Sequence, residues 1–219
     1  MLRQIGAIVA KDLAAELHTR EIVSAMLVFA TMAILIFSFA LDLRGASGRA
    51  AAPGVLWTTI AFSGTLGLSR SLAREQQNGG LSGLLLAVEE RSVIFFGKAA
   101  GSFVLMLLVV VVLLPLGSVL LNVNLLRPDI AGVMVLGTVG YAAVGTLLAA
   151  IAVNTRAREV MLPILALPVL VPLLIAAVQA TAGLLEGMVP VDSWIRMLVV
   201  YDLVMIAVGV LTFEYVVEG

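Results

Sequence analysis

Few residues in this chain have the type and spacing that chemistry requires. Cysteine is absent, which excludes disulfides, thiolate metal sites and a cysteine nucleophile. The single histidine, His18, has no second ligand of the usual type beside it, so a metal or haem ligand is the weaker interpretation. The segment "SVIFFGKAAG" approaches a phosphate-binding loop, but Ser92 replaces its first glycine and Ala99 its final Ser or Thr. We therefore expect a non-catalytic chain with no metal and no directly bound cofactor.

Three charged residues fall inside or at the edge of apolar runs, where charges are costly and therefore informative. Lys98 and Glu214 lie near predicted ends of such runs, and their side chains are long enough to reach the membrane interface. Asp202 is the candidate intramembrane polar site. It either pairs across a subunit interface or lines a polar cavity, or, if its span begins near Leu198, it lies at the outer surface.

The composition indicates that these residues are positioned by membrane helices. The chain has 219 residues, of which 62% are hydrophobic and 12% charged, against about 25% charged in soluble domains. A membrane-spanning helix needs about 20 apolar residues. Six runs are close to this length, and the connections between them are too short for a soluble domain. They are residues 22–41, 54–69, 93–121, 130–153, 160–181 and 195–217. The predicted fold is all-α, one transmembrane permease domain over residues 1–219.

Residues 1–20 have the pattern of an amphipathic helix that lies in the membrane interface. Glu16 interrupts its apolar side. The alternative is a solvated helix that leads into the first span. The apolar positions at helical spacing are Leu2, Ile5, Val9, Leu13 and Leu17.

The largest polar segment is "RSLAREQQNGGLSGLLLAVEERSV", residues 70–93. Its first part favours a helix, Asn78-Gly79-Gly80 is a turn signal, and "LSGLLLAV" favours a second short helix. We call residues 70–92 the polar island. Two interpretations have equal weight: a loop that lies against the membrane, or a docking element that receives force from a cytoplasmic partner.

The basic residues predict the orientation, because loops rich in lysine and arginine stay in the cytoplasm. With the N-terminus inside, most of the 13 lysines and arginines lie on the cytoplasmic side. The four on the other side are Arg44, Arg49, Arg127 and Arg196. Both termini are therefore predicted to be cytoplasmic.

The fifth predicted span contains Pro163, Pro168 and Pro172 in "LPILALPVLVPLLI". Each proline removes a backbone donor, so this helix is predicted to be bent or discontinuous. Such a helix suits a moving part, and equally a static kinked helix.

The segments "APGVLW", "LGLSRSLAREQQNGGL", "LLLAVEERSVIFFGK" and "LPILALPVLVPLLIAA" resemble the CcmB family, known as haem exporter protein B. The resemblance covers nearly the whole chain. The family's cytoplasmic motif is F-x-x-D-x-x-D-G-S-L, so one acid is retained as Glu75 and the other is replaced by Asn78. The residues at its positions are Leu72, Glu75, Asn78, Gly79, Gly80 and Leu81.

The resemblance implies a multi-pass permease in the bacterial inner membrane, within the ATP-binding-cassette complex of cytochrome c maturation. It implies a CcmA-type ATPase that binds the ATP, a CcmC-type haem-handling subunit, a CcmD-type small subunit and a second copy of the chain. It also implies that the complex handles haem and releases the haem-loaded chaperone CcmE. The polar island would then couple the permease to the ATPase. We expect contact with membrane lipid and none with nucleic acid. The alternative function is a permease that exports a lipid, a drug or a polysaccharide.

Overall fold

The fold is described from a computed structural model, which describes residues 1–40, 46–77, 83, 87, 88, 90–153, 158–187 and 190–218. These residues form seven α-helices and no strand. The helices are α1 (Leu2–Thr19), α2 (Glu21–Ala40), α3 (Ala46–Gln77), α4 (Arg91–Leu120), α5 (Pro128–Val153), α6 (Arg158–Glu186) and α7 (Val191–Glu218).

The six predicted spans are confirmed, because α2 to α7 are each long and apolar enough to cross a membrane. Their boundaries differ most at α3, which continues beyond residue 69 to Gln77. The added turns contain Ala73, Arg74 and Glu75, which are good helix formers. Helix α3 therefore continues past the end of the apolar run, and it contains the first part of the polar island.

Helix α5 is the centre of the bundle. In its apolar stretch 78% of the residues are buried inside the protein, against 17% for α7. Glycines on α5 permit this close packing, since a Cβ added at Gly137 would overlap the ring of Trp57 and one at Gly145 would overlap Leu68. The neighbouring helices α3, α4, α6 and α7 surround α5, so its apolar surface meets protein, whereas much of that on α2 and α7 is left for lipid.

The proline-rich helix α6 is continuous from Arg158 to Glu186. The sequence allowed a bent or a discontinuous helix, and the structure shows that the helix is not discontinuous. One carbonyl in this segment, that of Val169, accepts a hydrogen bond from the Tyr201 hydroxyl of α7. Neighbouring helices commonly supply donors of this kind where prolines interrupt a membrane helix.

Candidate functional site

Four charged side chains meet where α3 ends and α4 begins, and they hold α1 against the bundle. We call Asp12, Glu16, Arg74 and Lys98 the α1 cluster. Lys98 Nζ lies 2.8 Å from Asp12 Oδ2, and Arg74 Nη1 lies 3.4 Å from Glu16 Oε2. Lys98 therefore forms an ion pair with α1, where the sequence suggested only that it reaches the interface.

Glu16 is the most buried member of the cluster, at 4% exposure. Its Oε1 accepts a hydrogen bond of 2.8 Å from the backbone N–H of Val23, in the first turn of α2. The first N–H groups of a helix have no partner within the helix, and a carboxylate beside them is favourable. Glu16 thus caps α2 and pairs with Arg74. In sequence it interrupts the apolar side of α1, and in the structure it contacts α2 at Val23 and α3 at Arg74.

Arg74 connects the last turn of α3 to the last turns of α1. Its Nη1 donates to Thr19 Oγ1 at 3.1 Å and its Nη2 donates to the Ala15 carbonyl at 3.0 Å. A cation is favourable near a helix C-terminus, where carbonyl oxygens carry partial negative charge. The first part of the polar island is therefore attached to α1 by several hydrogen bonds.

The start of α4 is attached to the same helix by close packing. Gly97 and Gly101 form a G-x-x-x-G pattern, which allows two helices to approach closely. A Cβ at Gly97 would lie 2.8 Å from Ile8, and one at Gly101 would lie 3.8 Å from Asp12 Oδ2. The close helix contact that these glycines suggested is present, and its partner is α1.

The apolar residues of α1 divide between two environments. Ile8 is buried against α4, at 4% exposure, whereas Leu2 and Leu17 are 85% and 74% exposed. Exposed leucines on a helix that is held flat against the bundle are typical of a surface that enters the lipid interface. One side of α1 thus contacts protein and another side is available for lipid.

The predicted coupling residues lie at and beyond the end of α3. Leu72 and Glu75 belong to the last two turns of α3, and nothing is described of their side chains. Asn78, Gly79, Gly80 and Leu81 lie outside the described residues. The structure therefore leaves the coupling role as a prediction. It adds Arg74, within the same motif, as a residue that contacts α1.

Asp202 is buried among the described helices. It is 4% exposed and is about three turns into α7. Its carboxylate contacts the backbone of α5 at Gly140, where an added Cβ would overlap Oδ1. Neither carboxylate oxygen has a hydrogen-bond partner in the described part of the chain.

Trp57 is enclosed in the core, fully buried, with its Nε1 donating to Thr181 Oγ1 at 3.0 Å. The Tyr141 hydroxyl is similarly enclosed and contacts the Ala61 carbonyl and Thr65 of α3. The Trp57 hydrogen bond connects α3 to α6, and the Tyr141 hydrogen bond connects α5 to α3. In this arrangement Trp57 offers no surface on which a planar ligand such as haem could stack.

The sequence model of one protein family, described as CcmB protein, matches residues 3–218. A comparison with curated proteins finds no matching sequence. The family match covers all seven helices, both ends of the polar island and the whole α1 cluster.

Proposed function

The chain belongs to the CcmB family, and we propose that it is the permease subunit through which a partner ATPase drives a step of cytochrome c maturation. The observation that carries this proposal is the family match over residues 3–218. Membership supports a multi-pass membrane permease of the haem-exporter type. The finer proposal is that ATP hydrolysis by a CcmA-type ATPase is coupled to delivery of haem and release of the haem-loaded chaperone CcmE.

The geometry of the α1 cluster suggests how force would enter the bundle. The polar island begins in the last turns of α3, which contain Arg74, and ends at the start of α4, the helix that carries Lys98. Arg74 contacts Glu16 and Lys98 contacts Asp12, so the first part of the island and the helix that follows it are both attached to α1. A displacement of the island by a bound ATPase would therefore move α1 and, through the Glu16 contact with Val23, the start of α2.

This arrangement favours force transmission over conduction of haem by the subunit itself. Haem is the cargo of the complex in this proposal, handled by a CcmC-type subunit and by CcmE. A CcmD-type small subunit and a second copy of this chain complete the proposed assembly. Trp57 is buried among α3, α5 and α6, which supports assigning the haem platform to a partner. The ATP would bind the partner ATPase, and this chain would be non-catalytic.

Deletion of the gene tests the proposed function in cells. We expect a strain without this subunit to lose covalent haem attachment to c-type cytochromes, measured on haem-stained gels. Plasmid-borne wild-type chain should restore the haem stain, and the purified subunit alone should hydrolyse no ATP. Normal c-type cytochromes in the deletion strain, together with a defect in the export of a lipid, drug or polysaccharide, would replace this proposal with the rival permease function.

The proposed inner-membrane topology, with both termini cytoplasmic, is tested by single cysteines, since the native chain contains none. Glu186, at the end of α6, and His18, at the end of α1, are both exposed. In intact spheroplasts we expect an impermeant maleimide to label Glu186→Cys and to spare His18→Cys. His18→Cys should react after the membrane is permeabilised. The reverse pattern of labelling would overturn the orientation.

A further inference from the structure

Asp202 combines three properties that the proposed coupling role does not use. It lies roughly 16 Å along α7 from Val191, near the middle of a hydrocarbon core of about 30 Å. Its residue exposure is 4%. Both carboxylate oxygens lack a hydrogen-bond partner among the described residues. A buried acid of this kind needs a counter-charge, a donor or a proton.

A counter-charge is not supplied by α5, α6 or α7, the helices that meet at Asp202. Helix α4 also packs against α7, and its Lys98 is paired with Asp12 of α1. On α5, Asp129 is the only charged residue, and it lies at the first turn. On α6, no charged residue occurs between Glu159 and Glu186. On α7 itself, Arg196 and Glu214 are exposed. The ion pair that intramembrane acids usually require is therefore not built into this part of the bundle.

The titratable groups near Asp202 are tyrosines with other partners. Tyr201, its neighbour on α7, donates its hydroxyl to the Val169 carbonyl of α6. Tyr141 of α5 directs its hydroxyl to Ala61 and Thr65 of α3. Neither hydroxyl donates to Asp202, whose carboxylate lies beside the Gly140 backbone and near the Leu173 side chain.

We propose that Asp202 is a proton-binding site at the junction of α5, α6 and α7, occupied while these helices are packed together. An unpaired carboxylate in such surroundings is strongly unfavourable, and binding one proton converts it to the neutral acid. Release of that proton to water, which regenerates the carboxylate, requires α7 to separate from α5 and α6. The site therefore makes separation of these helices dependent on proton concentration. The proposal does not depend on the coupling role of the polar island.

Infrared spectroscopy of the purified full chain in detergent tests the protonation directly. A protonated carboxyl group has a carbonyl band that is separate from the carboxylate and amide bands. We expect this band at neutral pH in the wild type and in Asp192→Asn, which removes an exposed acid of the same helix. We expect Asp202→Asn to lose it, because the amide keeps the size of the side chain and removes the titrating group. Identical wild-type and Asp202→Asn spectra would overturn the proposal.

Two measurements on the wild type cover the case in which Asp202→Asn does not accumulate. Labelling aspartate carboxyl groups with ¹³C should shift the protonated band, and failure to shift would assign the band to another residue type and overturn the proposal. Transfer to D₂O should shift the band slowly, since the carboxylate oxygens have almost no contact with solvent. An immediate shift would show that water reaches Asp202 in the packed state and would remove the requirement for helix separation.

Discussion

Replacement of Glu16 by alanine should destabilise the protein by roughly 2 kcal/mol, because it removes a buried, charged hydrogen-bond acceptor. The substitution removes the acceptor of the Val23 N–H and the carboxylate that faces Arg74. It should also weaken the attachment of α1 to the end of α3, where Arg74 keeps its hydrogen bonds to Thr19 and Ala15. We expect a lower thermal midpoint in detergent and a reduced level of haem-stained cytochrome c in the complemented deletion strain.

Two matched variants separate this effect from a general loss of charge. Glu16→Gln keeps an oxygen for the Val23 N–H and loses only the charge, so its cost should be smaller. Glu21→Ala removes an exposed acid from the first turn of α2, where a helix-end charge contributes less than about 1 kcal/mol. A thermal midpoint for Glu16→Ala that equals that of Glu21→Ala would mean that the α1 cluster does not hold α1 in place.

The membrane spans could be predicted from sequence because their signal is local. A helix in lipid must form all its backbone hydrogen bonds within itself and present apolar side chains along its length. Each span is therefore visible in the sequence as a continuous run of apolar residues. The length of α3 was harder to predict from sequence. Its last turns, which include Arg74 and Glu75, are polar, and polar residues mark the end of a span without marking the end of a helix.

The α1 cluster shows why contacts between distant segments were missed. On a helical wheel, Glu16 is a charged residue on the otherwise apolar side of α1, and its position does not indicate a partner. Its partner Arg74 is 58 residues away in sequence, and nothing local identifies the pair. Gly97 and Gly101 did signal a close helix contact, although the pattern could not identify α1 as the neighbour. The resemblance predicted a coupling motif, whereas only the fold shows that Arg74, within that motif, contacts α1.

Asp202 illustrates the same limit at a single residue. Sequence placed it in or near a span but could not decide between a surface position, a subunit interface and a cavity. What the structure adds is Gly140 on α5, because only a residue without a side chain leaves space for the carboxylate there. A glycine that accommodates a distant side chain has no local signature of that role.

Gly137 makes another close contact of this kind, and its substitution should give the largest loss of folded protein. A Cβ at this position would overlap the indole of Trp57. That ring is fully buried and held by its hydrogen bond to Thr181 of α6, so it has no space into which to move. Overpacking of this kind costs about 1–3 kcal/mol. We expect Gly137→Ala to reduce the thermal midpoint and Gly137→Leu to give almost no monodisperse protein on size-exclusion chromatography.

Gly132 provides the matched control on the same helix. It is exposed, and a Cβ there would meet no atom within 4 Å. Alanine at this position should be neutral or stabilising by up to about 1 kcal/mol, because alanine favours helix over glycine. The two Gly→Ala changes should therefore have opposite signs. If the indole is the obstacle, Gly137→Ala should cost less when combined with Trp57→Leu, since contacting residues are not additive. Equal costs in both backgrounds would show that Trp57 does not fix the distance between α3 and α5.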